Sequence, residues 1–329
     1  MKFVFTADLH LKMWNDNIVD EYSNPLKLNE ILNSFKQMCD YCVKNNIENL
    51  VIGGDVNDLK NIVHYRPFVM LKEIIEQYNK IHFYILHGNH DSAGREDLYS
   101  AIQLLDGPSN VSTFVKNTEI DNILFVPWSG GIAKEIYETE PSKILISHFG
   151  LNEAQLSSGI SIKTNIKLND LRKFDLVLLG HYHKPQKLGN VYYVGSPIQL
   201  NKGEADEVKR FLVVDSETLE IESIETKGYR KYFNVILEDK NELEEKIEEI
   251  KELQKDGFVT IKNKIKELKI QDLNFEGVRI INDVDEEYQL RGITSDMKIV
   301  DQLKRYLEIQ KIEKTEHEEY INTFLEIQK

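Results

Sequence analysis

A layered α/β fold with a largely buried sheet is what this 329-residue sequence predicts, and three observations carry it. Short runs of β type alternate with helical patterns over roughly the first two thirds, the order expected of layered α/β domains. The runs are apolar without a polar face, which marks strands covered on both sides. The chain is long enough to bury a large core, and its composition shifts after about residue 225, where a smaller domain begins.

The expected strands are "KFVFTA", "NLVIGG", "HFYILHG", "NILFVPW", "KILISHF", "DLVLLGH" and "VYYVGS". A helix is expected from Leu28 to Lys44, and a second from Pro67 to Lys80 with Phe68, Leu71, Ile74, Ile75 and Tyr78 at helical spacing. The two cysteines, Cys39 and Cys42, fall inside the first helix rather than at its start, so they read as part of its apolar face. "RFLVVDSETLEIESIE" reads as two strands that close the first domain. Beyond it, "RKYFNVIL", a charged helix "NELEEKIEEIKELQKD", "GFVTIKN" and "GVRIIND" make a small α/β domain. From Ser295 the pattern is helical, with Ile299, Leu303 and Leu307 on one stripe and Tyr320, Ile321, Phe324 and Leu325 on another. The expected divisions are 1–225, 226–290 and 291–329.

Hydrophobic content of 41% and charged content of 29% suit an ordinary soluble protein. The opening "MKFVFTADLH" reads as a first strand rather than a signal peptide, and no stretch reaches the roughly 18 apolar residues of a membrane span. A cytoplasmic protein with no membrane contact is therefore expected. The formal net charge of −14 argues against a sequence-independent nucleic-acid binder, because phosphate neutralisation supplies most of such a binder's affinity. Bound divalent cations or a local basic patch would reverse the field where it matters. No G-x-x-x-x-G-K-[ST] occurs, so any ATP hydrolysis has to come from another chain.

The chemistry gathers at strand ends. The first strand runs into Asp8 and His10, the second into Asp55 and Asp58, and the third into Asn89, His90 and Asp91. A later strand ends at His148, and "DLVLLGHYHKP" delivers His181 and His183. Five of the nine histidines fall on these ends; His64, His82, His87 and His317 read as structural. Loops at the carboxyl ends of neighbouring strands converge, so the set is expected on one edge. Carboxylate, imidazole and amide oxygen without thiolate suits first-row divalent ions such as manganese, iron or zinc. Seven such ligands exceed one tetrahedral ion but serve two ions sharing a carboxylate, the device for in-line attack on a phosphoester.

Asp8-x-His10, Gly54-Asp55-x-x-Asp58, Gly88-Asn89-His90-Asp91, His148 and Gly180-His181-x-His183 together resemble the signature of the calcineurin-like metallophosphoesterases. The resemblance implies a four-layer β-sandwich flanked by helices. It implies one metal on Asp8, His10, Asp55 and His183, and another on Asp55, Asn89, His148 and His181. His90 would act on the leaving oxygen, with Asp91 orienting it. "VYYVGSPIQLNKGE" resembles the corresponding segment of the SbcD/Mre-type nucleases, as do the capping domain and terminal helices. Length and helical end are similar to those of the phage recombination endonucleases of that branch. Asp58, where the eukaryotic and archaeal members carry histidine, resembles the bacterial and phage version. The resemblance implies a two-metal DNA exonuclease/endonuclease, using Mn2+ and a metal-bridging hydroxide on double-stranded DNA. It further implies a homodimer in repair and recombination, with 67–80 and 97–106 as candidate seams, and a coiled-coil SbcC- or Rad-type ATPase as partner; the terminal helices either dock on that partner or pack on the chain's own small domain. The competing reading is a phosphatase or phosphodiesterase for protein or small-molecule phosphoesters. Lys60, Arg66, Arg95 and Lys184 are the cations beside the motifs.

Overall fold

A computed structural model describes residues 1–94, 99–265, 278–282, 299–309, 317, 320 and 321. All seven expected strands form. The single buried sheet resolves into two six-stranded sheets. Strands β1 (Lys2–Thr6), β2 (Asn49–Ile52), β3 (His82–Leu86) and β4 (Val111–Phe114) run parallel in the first. The second holds β6 (Ile123–Val126), β7 (Ile144–His148), β8 (Leu176–Gly180) and β10 (Val191–Tyr193), also parallel. Antiparallel strands β11 (Arg210–Asp215) and β12 (Ile221–Glu225) extend the first sheet. Antiparallel edges β5 (Thr118–Ile120) and β9 (Gln186–Leu188) close the second. The chain changes sheets between β4 and β5.

The two sheets pack face to face over Phe3, Phe5, Val51, Phe125, Ile146 and Leu178. Helices α1 (Leu26–Lys44) and α2 (Tyr65–Gln77) cover the outer face of the first sheet, setting Ile31, Phe35, Leu71 and Ile75 against Leu50, Ile52 and Phe83. Helix α3 (Ile132–Glu138) buries Ile136 with Leu145, Val177 and Leu179 on the outer face of the second. The result is four layers, α/β/β/α. A strand covered by helices on one face and by a sheet on the other has the same apolar sequence as one between two helical layers. Pro67 sits in the first turn of α2, where its missing N–H costs no helical bond. Cys39 and Cys42 are buried on the core face of α1, and burial pushes the Cys42 thiol up to about 12, which keeps thiolate chemistry away.

The chain divides into two compact units, Met1–Phe233 with Asp256–Phe258, and the remainder. In the first unit, Arg230 pairs with Glu30 at 2.7 Å and with Asp16 at 2.7 Å. The second unit takes in most of β13 (Lys231–Leu237), helix α4 (Leu243–Asp256), β14 (Gly257–Asn263) and β15 (Arg279–Asn282). These strands form a three-stranded sheet in the order β13-β14-β15. Along α4, Lys246–Glu249, Lys251–Glu248 and Lys255–Glu252 pair at i,i+3 spacing, as on a solvated helix face. Helix α5 (Ile299–Ile309) buries Leu307. Phe324 and Leu325 of the expected second stripe lie outside the described residues. Among those described, no helix is long and apolar enough to cross a membrane.

Candidate metal centre

The expected site residues do meet. Asp8 and His10 follow β1, Asp55 follows β2, Asn89 and His90 follow β3, His148 ends β7, and His181 and His183 follow β8. Both sheets therefore supply the same pocket from their carboxyl ends. The convergence is tight enough to force the backbone. Asp8, His10, Asp55 and His181 take φ of 58°, 49°, 53° and 92°, the left-handed region that L-residues avoid. Such strain persists only where the surroundings impose it, and it gathers at functional sites. Glycine admits the closest approaches. A Cβ on Gly88 would stand 2.3 Å from the Asp55 backbone nitrogen, and one on Gly180 would stand 2.5 Å from the Gly53 carbonyl and 2.7 Å from His148 Nδ1.

Three groupings bring potential ligand atoms within 4.8 Å of one another: Asp8–His10–His183, Asp55–His148–His181 and His10–Asp55–His90. Asp55 belongs to two of them. Its Oδ2 lies 3.2 Å from His148 Nε2 and 3.7 Å from His10 Nε2, while its Oδ1 accepts the His90 backbone N–H at 2.8 Å. Asn89 Oδ1 lies 2.8 Å from His181 Nδ1 and 3.1 Å from His148 Nε2. The Asp8 carboxylate accepts the His181 backbone N–H at 3.0 Å, which links the first sheet to the second.

Hydrogen-bond partners fix the tautomers. His148 Nδ1 donates to the Gly53 carbonyl at 2.8 Å, and His183 Nδ1 donates to Glu204 at 2.9 Å. His10 turns Nδ1 toward Asp58 at 3.2 Å. The Nε2 atoms of His10 and His183 face each other at 3.0 Å, beside the Asp8 and Asp55 carboxylates. A proton or a cation between the two nitrogens satisfies both. At His148, burial favours the neutral form, but the adjacent Asp55 carboxylate lifts it to about 9, so this position also attracts positive charge. Burial opposes the Asp55 charge too, and the His148, His10 and His90 imidazoles override it and hold the carboxyl well below its usual range. His181, pressed by burial and then by His148, falls to about 3 and stays a neutral donor. Carboxylate, neutral imidazole and amide oxygen converging in this way fit divalent first-row cations.

Asp91 does not orient the His90 ring: its carboxylate accepts the backbone N–H of Asn57 and of Gly88, both at 2.8 Å, and so binds the loop together. The His90 ring instead donates Nδ1–H to the Asp58 carbonyl at 2.5 Å. Burial, and next the Asp55 charge, push the Asp91 carboxyl up. Glu204 and Lys209, which no sequence motif marks, also contact His183. Of the neighbouring cations, Arg66 bonds the Tyr22 carbonyl and Asn24, Lys184 bonds Gln155, Lys60 is exposed, and Arg95 lies outside the described residues. Lys12, not anticipated, pairs with Asp58 at 2.7 Å. His64, His82 and His87 make structural bonds to Met13, Ser112 and Ser100.

Comparison with known families decides what this pocket belongs to. The model of the calcineurin-like phosphoesterases matches residues 1–185, which is more than half of the chain and spans every strand-end motif. The chain belongs to the calcineurin-like phosphoesterases. Among curated proteins it is similar to exonuclease subunit 1 of Enterobacteria phage T4, 26% identical over 237 residues, covering 68% of this chain and 67% of the relative. It is similar to the SbcD component of nuclease SbcCD from Staphylococcus epidermidis, 28% identical and covering 66% of each chain. It is also similar to the DNA double-strand break repair protein Mre11 of Archaeoglobus fulgidus, at 23% identity over 80% of this chain and 68% of that one. The chain thus spans about two thirds of the length of these relatives.

The close approach at Gly180 is testable. Gly180→Ala pushes a methyl into the Gly53 carbonyl and the His148 ring. We expect a loss of about 1–3 kcal/mol of stability in urea unfolding, the usual cost of overpacking, together with loss of phosphoesterase activity. Wild-type values for both would mean that the strand ends can part.

Proposed function

We propose that this phosphoesterase is a DNA nuclease that works with two divalent cations, which we assign as manganese. One cation would be held by Asp8, His10, Asp55 and His183, and the other by Asp55, Asn89, His148 and His181. The observation that carries the reading is the position of Asp55, whose buried carboxylate belongs to one ligand grouping with His148 and His181 and to another with His10 and His90. Divalent ions held there would supply an activated water and would neutralise charge on a phosphoryl group. The chain's own residues do the rest. His90 is fixed by its ring bond to the Asp58 carbonyl and by its backbone bond to Asp55, which leaves Nε2 as the atom that meets the leaving oxygen. Asp91 keeps the loop in place by binding two backbone amides.

The nuclease assignment draws on the relatives, named as an exonuclease subunit, a nuclease component and a break-repair protein. Linear double-stranded DNA is the substrate we assign. The cations answer the net charge of −14, since they supply positive potential where the phosphate arrives. We further assign a role in DNA repair and recombination as a homodimer. Its partner would be a coiled-coil ATPase of the SbcC or Rad type, taken up by α5 and the residues after it. These assignments place the protein in the cytoplasm of a prokaryotic or phage-infected cell.

Purified protein is expected to degrade linear double-stranded DNA with manganese and to do so more weakly with magnesium. Efficient hydrolysis of a simple phosphomonoester, with DNA untouched, would make it a phosphatase. His90→Ala is expected to lower turnover by at least about 100-fold while the bound manganese stays at the wild-type amount. Manganese lost in that variant would make His90 a ligand, as its nearness to His10 and Asp55 allows.

A further inference from the structure

The segment after the last strand-end motif carries a buried ion cluster. Glu204 and Lys209 are 1% and 0% exposed. One oxygen of Glu204 accepts His183 Nδ1–H at 2.9 Å and the Asn201 side chain at 2.8 Å. The other accepts Ser196 Oγ at 3.0 Å, the Leu200 N–H at 3.1 Å and the Lys209 ammonium at 2.7 Å. Lys209 also reaches Glu207 at 2.6 Å and the His183 carbonyl at 2.8 Å. A single cluster therefore grips His183 by both its ring and its backbone.

The supports of the two histidine groups differ in kind. His148 rests on a neutral carbonyl, that of Gly53, whereas His183 rests on an anion. A carboxylate acceptor locks the imidazole orientation and makes the opposite nitrogen a stronger donor, and loss of such a partner costs about 10- to 100-fold in metal affinity. We infer that Glu204, held in place by Lys209, is a positioning residue for His183 and strengthens the cation position of Asp8, His10 and His183 selectively. This rests on the two-cation reading given above. It assigns a role to a segment that the strand-end motifs do not include.

The test is calorimetric titration of manganese into the metal-free full-length chain. Wild type should bind two ions. Glu204→Gln keeps the side-chain shape but removes the charge, and should weaken one binding event about 10- to 100-fold while the other stays as in wild type. Because that change strips Lys209 of one of its two acidic partners, Glu204→Gln with Lys209→Met is titrated in parallel. The double variant should show the same selective loss, and it carries the test if the single variant does not fold. Isotherms that match wild type, or equal weakening of both events in a folded variant, overturn the inference. A wild-type chain that binds no ion overturns the two-cation reading, and the inference falls with it.

Discussion

A carboxylate taken wholly out of water organises this molecule. Asp55 is 2% exposed and ionised, and a buried charge left without partners costs several kcal/mol. Its compensation comes from elements far apart in sequence: the His90 backbone N–H and the imidazoles of His10, His90 and His148. To bring those groups into range, the ends of β1, β2, β3, β7 and β8 have to crowd together. Left-handed backbone at Asp8, His10, Asp55 and His181, with glycine at positions 88 and 180, is the local consequence.

The four-layer architecture follows from the same demand. One sheet alone would line up its strand ends along an edge and would offer ligands from one side only. Two sheets sharing the core of Phe3, Phe5 and Phe125 bring a second set of strand ends opposite the first. Asp8 then accepts the His181 backbone N–H, and His148 faces Asp55. That arrangement is rigid because it is seated on packed strands, and rigidity of this kind is what a site needs to hold charge for phosphoester chemistry. Membership of the calcineurin-like phosphoesterases agrees with it.

Much of this was legible in the sequence, for identifiable reasons. Apolar runs marked the strands, and the polar residues at their ends marked the pocket, since side-chain chemistry is written in residue type. The pairing of two sheets came from the family resemblance of the motifs and not from the apolar pattern, because Val51 or Ile146 is equally apolar whether it faces a helix or another sheet. The support of His90 by the Asp58 carbonyl was invisible, since every residue has a carbonyl. No motif marks Glu204 and Lys209; only the fold reveals that they are buried beside His183. The pairs of Arg230 with Glu30 and Asp16 are long-range contacts that composition does not mark.

Asp55 is proposed to hold cations on behalf of both ligand groupings. Anomalous diffraction from crystals of the full chain soaked in manganese reads this directly. Two peaks that share Asp55 are expected, one beside His10 and His183, the other beside His148 and His181. A single peak, or peaks that leave Asp55 uncoordinated, would contradict the proposal.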